Sequence, residues 1–162
     1  MKRTDAFARD FCRRMEEKPF KGYKWNCGGG DPNPLGKGHE SVDIWAKSER
    51  RGQKLVLVEV ELRRGNPVSN VAKIWKKADK LAPFVLVQIF SQFYAKGKGV
   101  SQRENAEFVG HEMERATSNP YLPVCFKYAP RRLGKKGGGR RRKHAYELAD
   151  RIRGRLKSMK LV

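Results

Sequence analysis

The sequence contains no hydrophobic run close to the roughly 20 apolar residues that a membrane-spanning helix needs. Its first residues, MKRTDAFARDFCRR, also lack the apolar segment of a secretory signal peptide. Cysteine is scarce: Cys12, Cys27 and Cys125 are odd in number, far apart and never spaced as CxxC, which favours reduced thiols over a disulfide framework or a zinc site. We therefore expect a cytoplasmic protein without a membrane partner, and a nucleoid-associated or mobile-element-encoded protein fits the same features.

Acidic residues are also few. The chain has 17 Asp and Glu against 37 Lys and Arg, a formal net charge of +20. Such an excess of positive charge indicates what kind of partner the protein binds, and it does not indicate the fold. Nucleic acid is the leading partner, because phosphates and released counterions reward many dispersed cations. The 162 residues suffice for one domain, in which we expect a core over 1–129 and a basic, glycine-rich segment with a C-terminal helix over 130–162.

A run of strand-forming residues, KLVLVEVEL, occupies positions 54–62 and contains Glu59 and Glu61 near its end. In a strand, Leu55 and Leu57 share a face with the two glutamates, and the alternating apolar residues take the other face. A strand that is apolar on both faces belongs inside a covered sheet. Burying two negatively charged carboxylates there is costly unless a positive charge compensates them. A divalent cation provides that charge and can also take part in catalysis.

A third carboxylate can be placed beside this strand. Residues 41–45, SVDIW, predict a short strand with Asp43 in its middle, and the polar, glycine-containing stretch that follows predicts a hairpin turn. With the turn centred on Arg51, paired residue numbers add up to 102, which sets Asp43 opposite Glu59. Opposed like charges only about 5 Å apart repel. The pattern therefore predicts a metal ion held by both carboxylates and a backbone carbonyl near Val60.

The next helix is well marked. Asn66 is a good cap, Pro67 suits the first helical position, and Asn70, Lys73 and Lys77 form a polar stripe. The apolar run that follows should be a strand parallel to 54–62, because a strand–helix–strand crossover is right-handed. The other predicted elements are helices at 4–17, 102–117 and 144–159, strands at 23–27, 84–90 and 122–128, and a mobile basic segment at 130–143.

Several details follow from this assignment. Ser101 and Glu104 read as a capping box at the start of the 102–117 helix. The inward face of that helix should consist of Ala106, Val109, Met113 and Ala116. The three tryptophans, Trp25, Trp45 and Trp75, are also expected in the core.

The order helix, strand, Asp-bearing strand, Glu-x-Glu strand, helix, strand resembles the common core of the PD-(D/E)xK nuclease superfamily over roughly residues 4–91. The resemblance implies an α/β, restriction-endonuclease-like fold: an αβββαβ core with a mixed central sheet flanked by helices. The family's metal-binding Asp and Glu map to Asp43 and Glu59. The usual Lys two residues later is Glu61 here, and Lys73 on the next helix would supply the missing ammonium.

The resemblance implies an enzyme that hydrolyses DNA phosphodiester bonds with Mg²⁺ or Mn²⁺. Asp43, Glu59, Glu61 and Lys73 would be catalytic, with Glu61 either completing the metal shell or accepting the proton of water. The cations expected to hold the phosphate backbone are Arg63, Arg64, Lys76, Lys77, Arg140, Arg141, Arg142 and Lys143.

Other interpretations stay open at this point. The two glutamates would pair with Arg63 and Arg64 if they faced solvent, and the polar stripe would then be an ordinary solvated helix face. The chain would in that case be a non-catalytic basic protein that binds DNA or RNA, either an inactive nuclease fold or a ribosome-associated protein. DNA is preferred to RNA as the partner, and a homodimer is compatible with the sequence.

Overall fold

The computed structural model describes residues 3–17, 22–27, 33–36, 41–50, 52, 54–62, 65–127 and 138–160. The elements in chain order are α1 (Arg3–Glu17), β1 (Tyr23–Cys27), β2 (Ile44–Ser48), β3 (Leu55–Glu61), α2 (Pro67–Trp75), β4 (Phe84–Phe90), α3 (Lys98–Thr117), β5 (Tyr121–Cys125) and α4 (Gly138–Ser158). Two short 3₁₀ turns, Ala78–Lys80 and Gln92–Ala95, precede β4 and α3.

The five strands form one mixed sheet in the order β1-β2-β3-β4-β5. The first three strands pair antiparallel, and β3, β4 and β5 pair parallel. Ile44 pairs with Val58, and Ala46 pairs with Val56, so the register predicted from the hairpin is confirmed. The parallel pairing of β3 with β4 is also as predicted. The chain is therefore a mixed α/β protein with a central sheet.

Strand β3 is central, and all seven of its residues are buried. Val56, Val58 and Val60 lie in the cluster formed with α1 and α4. Leu55 and Leu57 lie in the opposite cluster with α2 and α3. Because successive side chains of a strand point to opposite faces, the predicted division of this strand into two faces is confirmed. Helices cover both faces, as its continuous apolar pattern requires.

Helix α2 begins where its cap predicts. Asn66 Oδ1 accepts a hydrogen bond from Ser69 N at 3.2 Å, and Pro67 occupies the first turn. This bond satisfies one of the amide groups that a helix N-terminus leaves without a partner. The helix ends at Trp75, earlier than its apolar pattern indicates, and the exposed side chain of Trp75 contradicts its predicted place in the core. Trp25 and Trp45 are buried as expected.

Two predicted boundaries and one predicted burial are wrong. Asp43 lies just before β2, which begins at Ile44, and not in the middle of a strand. Helix α3 begins at Lys98, because Gly97, with φ of +58°, turns the chain into the helix before the proposed capping box is reached. Ser101 is thus an interior residue of the helix. Ala116, predicted to face inward, is exposed near its end.

The C-terminal helix also starts early. Residues 138–143, assigned from sequence to a mobile basic segment, are the first turns of α4. Arg141 Nε donates to Asp10 Oδ2 of α1 at 2.7 Å, and Arg142 lies 3.6 Å from the same carboxylate. These ion pairs hold the basic start of α4 against α1. The rest of that predicted segment, 130–137, lies outside the described residues.

Cys12, Cys27 and Cys125 are not joined by disulfides within the described residues. Within the described ranges, no helix has both the length and the apolar character that crossing a membrane requires.

Candidate active site

The segment that carries Asp43 is fixed by the side chain of Asn33. Asn33 Nδ2 donates to Val42 O at 2.8 Å, and Asn33 Oδ1 accepts from Val42 N at 3.2 Å. Asp43 Oδ2 in turn accepts a hydrogen bond from Val60 N at 2.8 Å. The carboxylate of Asp43 is therefore attached to the backbone of β3 between Glu59 and Glu61, although Asp43 itself lies outside β2.

Glu59 is only 2% exposed and faces α2. Lys73, in the second turn of α2, places its Nζ 2.8 Å from Glu59 Oε1 and also donates to Ser41 O at 2.8 Å. Burial raises the pKa of Glu59 well above its usual value, and the charge of Asp43 raises it further, while Lys73 acts in the opposite direction. Lys73 thus links α2, β3 and the segment before Asp43 at one point.

Glu61 is 3% exposed and is held by two amide side chains. Its Oε1 accepts from Asn70 Nδ2 at 2.7 Å and from Gln88 Nε2 at 3.0 Å. Burial raises the pKa of Glu61, and the two amide hydrogen bonds lower it in part. Gly65 approaches the other oxygen so closely that an added Cβ would lie 2.7 Å from Glu61 Oε2, so a larger residue does not fit without a shift.

A buried relay fixes the orientation of Gln88. Tyr121 OH donates to Gln88 Oε1 at 2.7 Å, and Gln88 Nε2 donates to Pro67 O at 2.9 Å as well as to Glu61. Because a backbone carbonyl can only accept a hydrogen bond, the end of the amide that faces Pro67 O and Glu61 must be its nitrogen. Gln88 is fully buried, and its partner in the β3–β4 register is Glu59. The relay therefore orients a donor toward the carboxylate of Glu61.

Among the described residues, the site contains more buried negative charge than positive charge. The charge of Asp43 raises the pKa of both Glu59 and Glu61, which indicates that all three acids share one electrostatic environment. The cation that pairs with Glu59 in this environment is Lys73. In the described part of the chain, however, no three His, Cys, Asp or Glu side chains are grouped closely enough to hold a metal ion as they stand.

The four residues predicted as catalytic, Asp43, Glu59, Glu61 and Lys73, come together at the end of β3 on the side of α2. The predicted phosphate contacts are more dispersed. Lys76 is exposed directly after the end of α2, and Lys77 Nζ donates to Leu35 O. Arg140, Arg141, Arg142 and Lys143 belong to α4, which covers the opposite face of the sheet, so they do not surround this site. Arg63 and Arg64 lie outside the described residues.

Gln88, Tyr121, Asn33 and Gly65 support the site but were not predicted from sequence. A signal did exist for Gln88, because it is the one polar residue in the apolar strand FVLVQIF. A lone amide at a buried strand position needs partners, and its parallel neighbour is Glu59. The contribution of Tyr121 depends on the pairing of β4 with β5, which no local pattern reveals.

Comparisons with protein-family models, with curated proteins and with solved structures found no match to this chain.

Proposed function

We propose that the chain is a metal-dependent nuclease of restriction-endonuclease-like fold that hydrolyses DNA phosphodiester bonds, with Asp43 and Glu59 as the metal ligands. The observation that carries the proposal is the meeting of Lys73 with Glu59 at 2.8 Å, beside the Asp43 carboxylate. A buried acid next to a second acid, with an ammonium on the same side of the sheet, is the set of groups that phosphodiester hydrolysis uses.

The residues present fit a divalent cation. Carboxylate oxygens are the ligands that Mg²⁺ and Mn²⁺ prefer, and Mg²⁺ in phosphoryl chemistry is usually held by one or two carboxylates, with waters and substrate phosphate completing its shell. Two ligands from Asp43 and Glu59 therefore suffice. The buried excess of negative charge, expressed in the raised pKa of Glu59, is relieved by such an ion. When bound, it lowers the pKa of a water molecule and polarises the phosphate.

The other side chains have distinct proposed roles. Glu61 has one oxygen engaged by two amides, and we assign it as the acceptor of the proton that water loses. Its raised pKa makes it a stronger base than an exposed glutamate. Lys73 is assigned to the negative charge that develops on the phosphate in the transition state. Asn70, Gln88 and Tyr121 orient Glu61 for its role.

A second candidate function, nucleic-acid binding without cleavage, is favoured by one observation. Each acid already has a protein partner: Lys73 for Glu59, two amides for Glu61 and Val60 N for Asp43. An inactive relative of a nuclease would be expected to compensate its former metal ligands in this way. The net charge of +20 suits a phosphate ligand under either function.

Cleavage assays with matched variants test the proposal. The chain is incubated with labelled single-stranded and duplex DNA at low salt with Mg²⁺, Mn²⁺ or EDTA. We expect cleavage only with metal, and loss of cleavage in Asp43→Asn and Glu59→Gln. Both variants should bind DNA in EDTA as the original chain does, because each change removes one negative charge and no cation.

Glu104→Gln, an exposed residue of α3, is the charge-matched control and should cut normally. If the unaltered chain leaves DNA intact with both Mg²⁺ and Mn²⁺, the nuclease proposal is rejected and binding without cleavage is favoured. Cleavage that persists in Asp43→Asn or Glu59→Gln would show that the activity lies elsewhere.

A further inference from the structure

A pocket of about 540 Å³ lies between the end of β5 and helix α4. Its lining combines two aromatic or aliphatic side chains with several polar ones: Phe126, Lys127, His144, Glu147, Leu148 and Arg151. The volume falls within the range of sites that bind small molecules or cofactors. No step of the proposed reaction uses these residues, and no local sequence pattern groups them.

The pocket lies at the same edge of the sheet as the candidate active site. Strands β3, β4 and β5 are parallel, so their carboxyl ends meet at one edge, and Glu61, Phe90 and Cys125 form one registered row across it. Two strand spacings separate the ends of this row, about 10 Å. This backbone distance alone corresponds to roughly three stacked nucleotides of one strand, and the step from one face of the sheet to the other adds to it.

The cations of the pocket are placed to meet a phosphate. Arg151 Nη1 donates to Cys125 O at 3.0 Å, which holds the guanidinium at the wall of the pocket and uses one of its five N–H donors. Lys127 is exposed at the end of β5. Glu147 is the opposing anion, but it is more than half exposed and is accompanied by Lys143 at 4.0 Å and His144 at 3.6 Å on its own helix.

The surrounding surface has the same sign of charge. Residues 138–160 include nine Lys and Arg but only two Asp and Glu. Helix α3, on the other side of the sheet, has three Lys and Arg against four Glu. A polyanion is therefore attracted to the side of α4 and not to that of α3.

We propose that this pocket binds one unpaired nucleotide of a DNA strand, with its phosphate at Arg151 and Lys127 and its apolar parts against Phe126 and Leu148. The inference deepens the proposed function, on which it rests, by naming single-stranded DNA as the substrate class. Glu61 faces α2 and the pocket faces α4, so a strand that reaches both must bend sharply over the sheet edge within a few nucleotides. Duplex DNA, with a persistence length of about 50 nm, is too stiff for that path.

Binding measurements in EDTA test the pocket without requiring cleavage. Fluorescence anisotropy with a labelled single-stranded oligonucleotide and with a blunt duplex is recorded over a range of salt concentrations. We expect Arg151→Glu and Lys127→Glu each to weaken single-strand binding about tenfold and to lower the salt slope by about 0.7 per lost phosphate contact. Arg151→Lys should retain most of the affinity, and duplex binding should change much less.

Arg115→Glu is the matched control, because it makes the same change of charge on the exposed surface of α3. If Arg115→Glu and the pocket variants lose the same affinity for single strands, the effect is due to net charge and the proposal is overturned. The proposal is also overturned if the pocket variants lose as much affinity for duplex as for single-stranded DNA. The two proposals fail separately. If the chain binds single strands through the pocket but never cleaves DNA, only the nuclease proposal is rejected. If the chain cleaves DNA and the pocket variants bind normally, only the pocket proposal is rejected.

Discussion

Lys73 Nζ lies 2.8 Å from Glu59 Oε1, and the same ammonium donates to Ser41 O at 2.8 Å. One side chain of α2 thus contacts both the central strand and the segment that leads to Asp43. The ammonium partly neutralises a carboxylate that burial would otherwise favour in its protonated form. Its position gives Lys73 a measurable effect on stability as well as on the proposed chemistry.

Lys73→Met tests both effects. We expect the variant to lose about 1–3 kcal/mol of unfolding free energy at pH 8, because Glu59 keeps a buried charge whose partner has gone. The loss should be smaller at pH 5, because a lower pH favours the protonated, uncharged form of Glu59. Cleavage should fall about 100-fold or more, the usual effect of removing one transition-state donor. Urea unfolding at both pH values and single-turnover cleavage provide the measurements.

Lys80→Met is the control for Lys73→Met, since Lys80 is an exposed residue of the 3₁₀ turn that follows α2 and has no assigned role. It removes the same charge without touching a carboxylate of the site, so stability and single-turnover rate should stay near those of the original chain. A similar loss of rate in both variants would mean that net charge, and not the contact with Glu59, decides activity.

The hydroxyl of Tyr121 offers a second prediction. In Tyr121→Phe the buried Oε1 of Gln88 loses its donor, so we expect a cost of about 1–3 kcal/mol in urea unfolding. The Gln88 amide keeps its bonds to Pro67 O and Glu61 but loses the one that fixes its other end, so the proposed proton acceptor is oriented less firmly. We therefore expect a lower rate of cleavage with little change in DNA binding.

Tyr23→Phe is a chemically matched control, because Tyr23 OH donates to Lys54 O at 2.7 Å on the other face of the sheet. It should cost comparable stability and leave the cleavage rate unchanged. If both variants lower the rate equally, the Gln88 relay has no special part in the site and acts through stability alone.

The core of this fold could be predicted because local patterns and packing agree there. The continuous apolar run of β3 predicts a covered central strand, and the hairpin register follows from one turn. The cap formed by Asn66 begins α2 where the pattern indicates. These elements carry Glu59, Glu61 and Lys73, so their meeting on one side of the sheet was within reach of sequence reasoning.

Other features depend on tertiary contacts that no local pattern records. Arg141 looks like part of a free basic run, but Asp10 of α1 pairs with it and helps α4 begin early. Helix α3 begins at Lys98 because of the left-handed backbone at Gly97, which overrides the better capping residue Ser101. The relay from Tyr121 to Glu61 requires β5 to lie beside β4, and no local sequence pattern predicts that pairing.

Two helical glycines lead to a prediction with opposite signs. Gly110 of α3 packs on Tyr121, and an added Cβ would lie 2.4 Å from the ring carbons Cε1 and Cζ. Gly154 of α4 is exposed, and nothing lies within 4 Å of its added Cβ. Gly110→Ala should therefore destabilise the protein by about 1–3 kcal/mol, the usual cost of overpacking. Gly154→Ala should stabilise it by up to about 1 kcal/mol through helix propensity.

Thermal melts of these two variants, followed by circular dichroism, provide the comparison. The ring of Tyr121 cannot move freely, because its hydroxyl is bonded to Gln88. A Gly110→Ala variant as stable as the original chain would mean that α3 is less closely packed on β5 than described.

The burial of Glu59 predicts an unusual dependence of stability on pH. Because burial raises the folded pKa of Glu59 well above the usual value for a glutamate, the folded state binds the extra proton. This contribution to stability is complete below that usual value and is lost as pH rises through the folded pKa. Glu59→Gln has no charge to bury. We expect it to match the original chain at low pH and to exceed it by about 1 kcal/mol at pH 8, roughly 2–4 °C in Tm.

Differential scanning calorimetry from pH 4 to pH 8 measures this difference, with the exposed Glu104→Gln as control. Mn²⁺ should raise the Tm of the original chain at pH 8 and not that of Glu59→Gln, because only the ionised carboxylate gains from a bound cation. The metal would then stabilise the same charge that is destabilising without it. If Glu59→Gln is the less stable chain at pH 8, Lys73 already compensates the buried carboxylate in full, and the site has no electrostatic need for a metal ion.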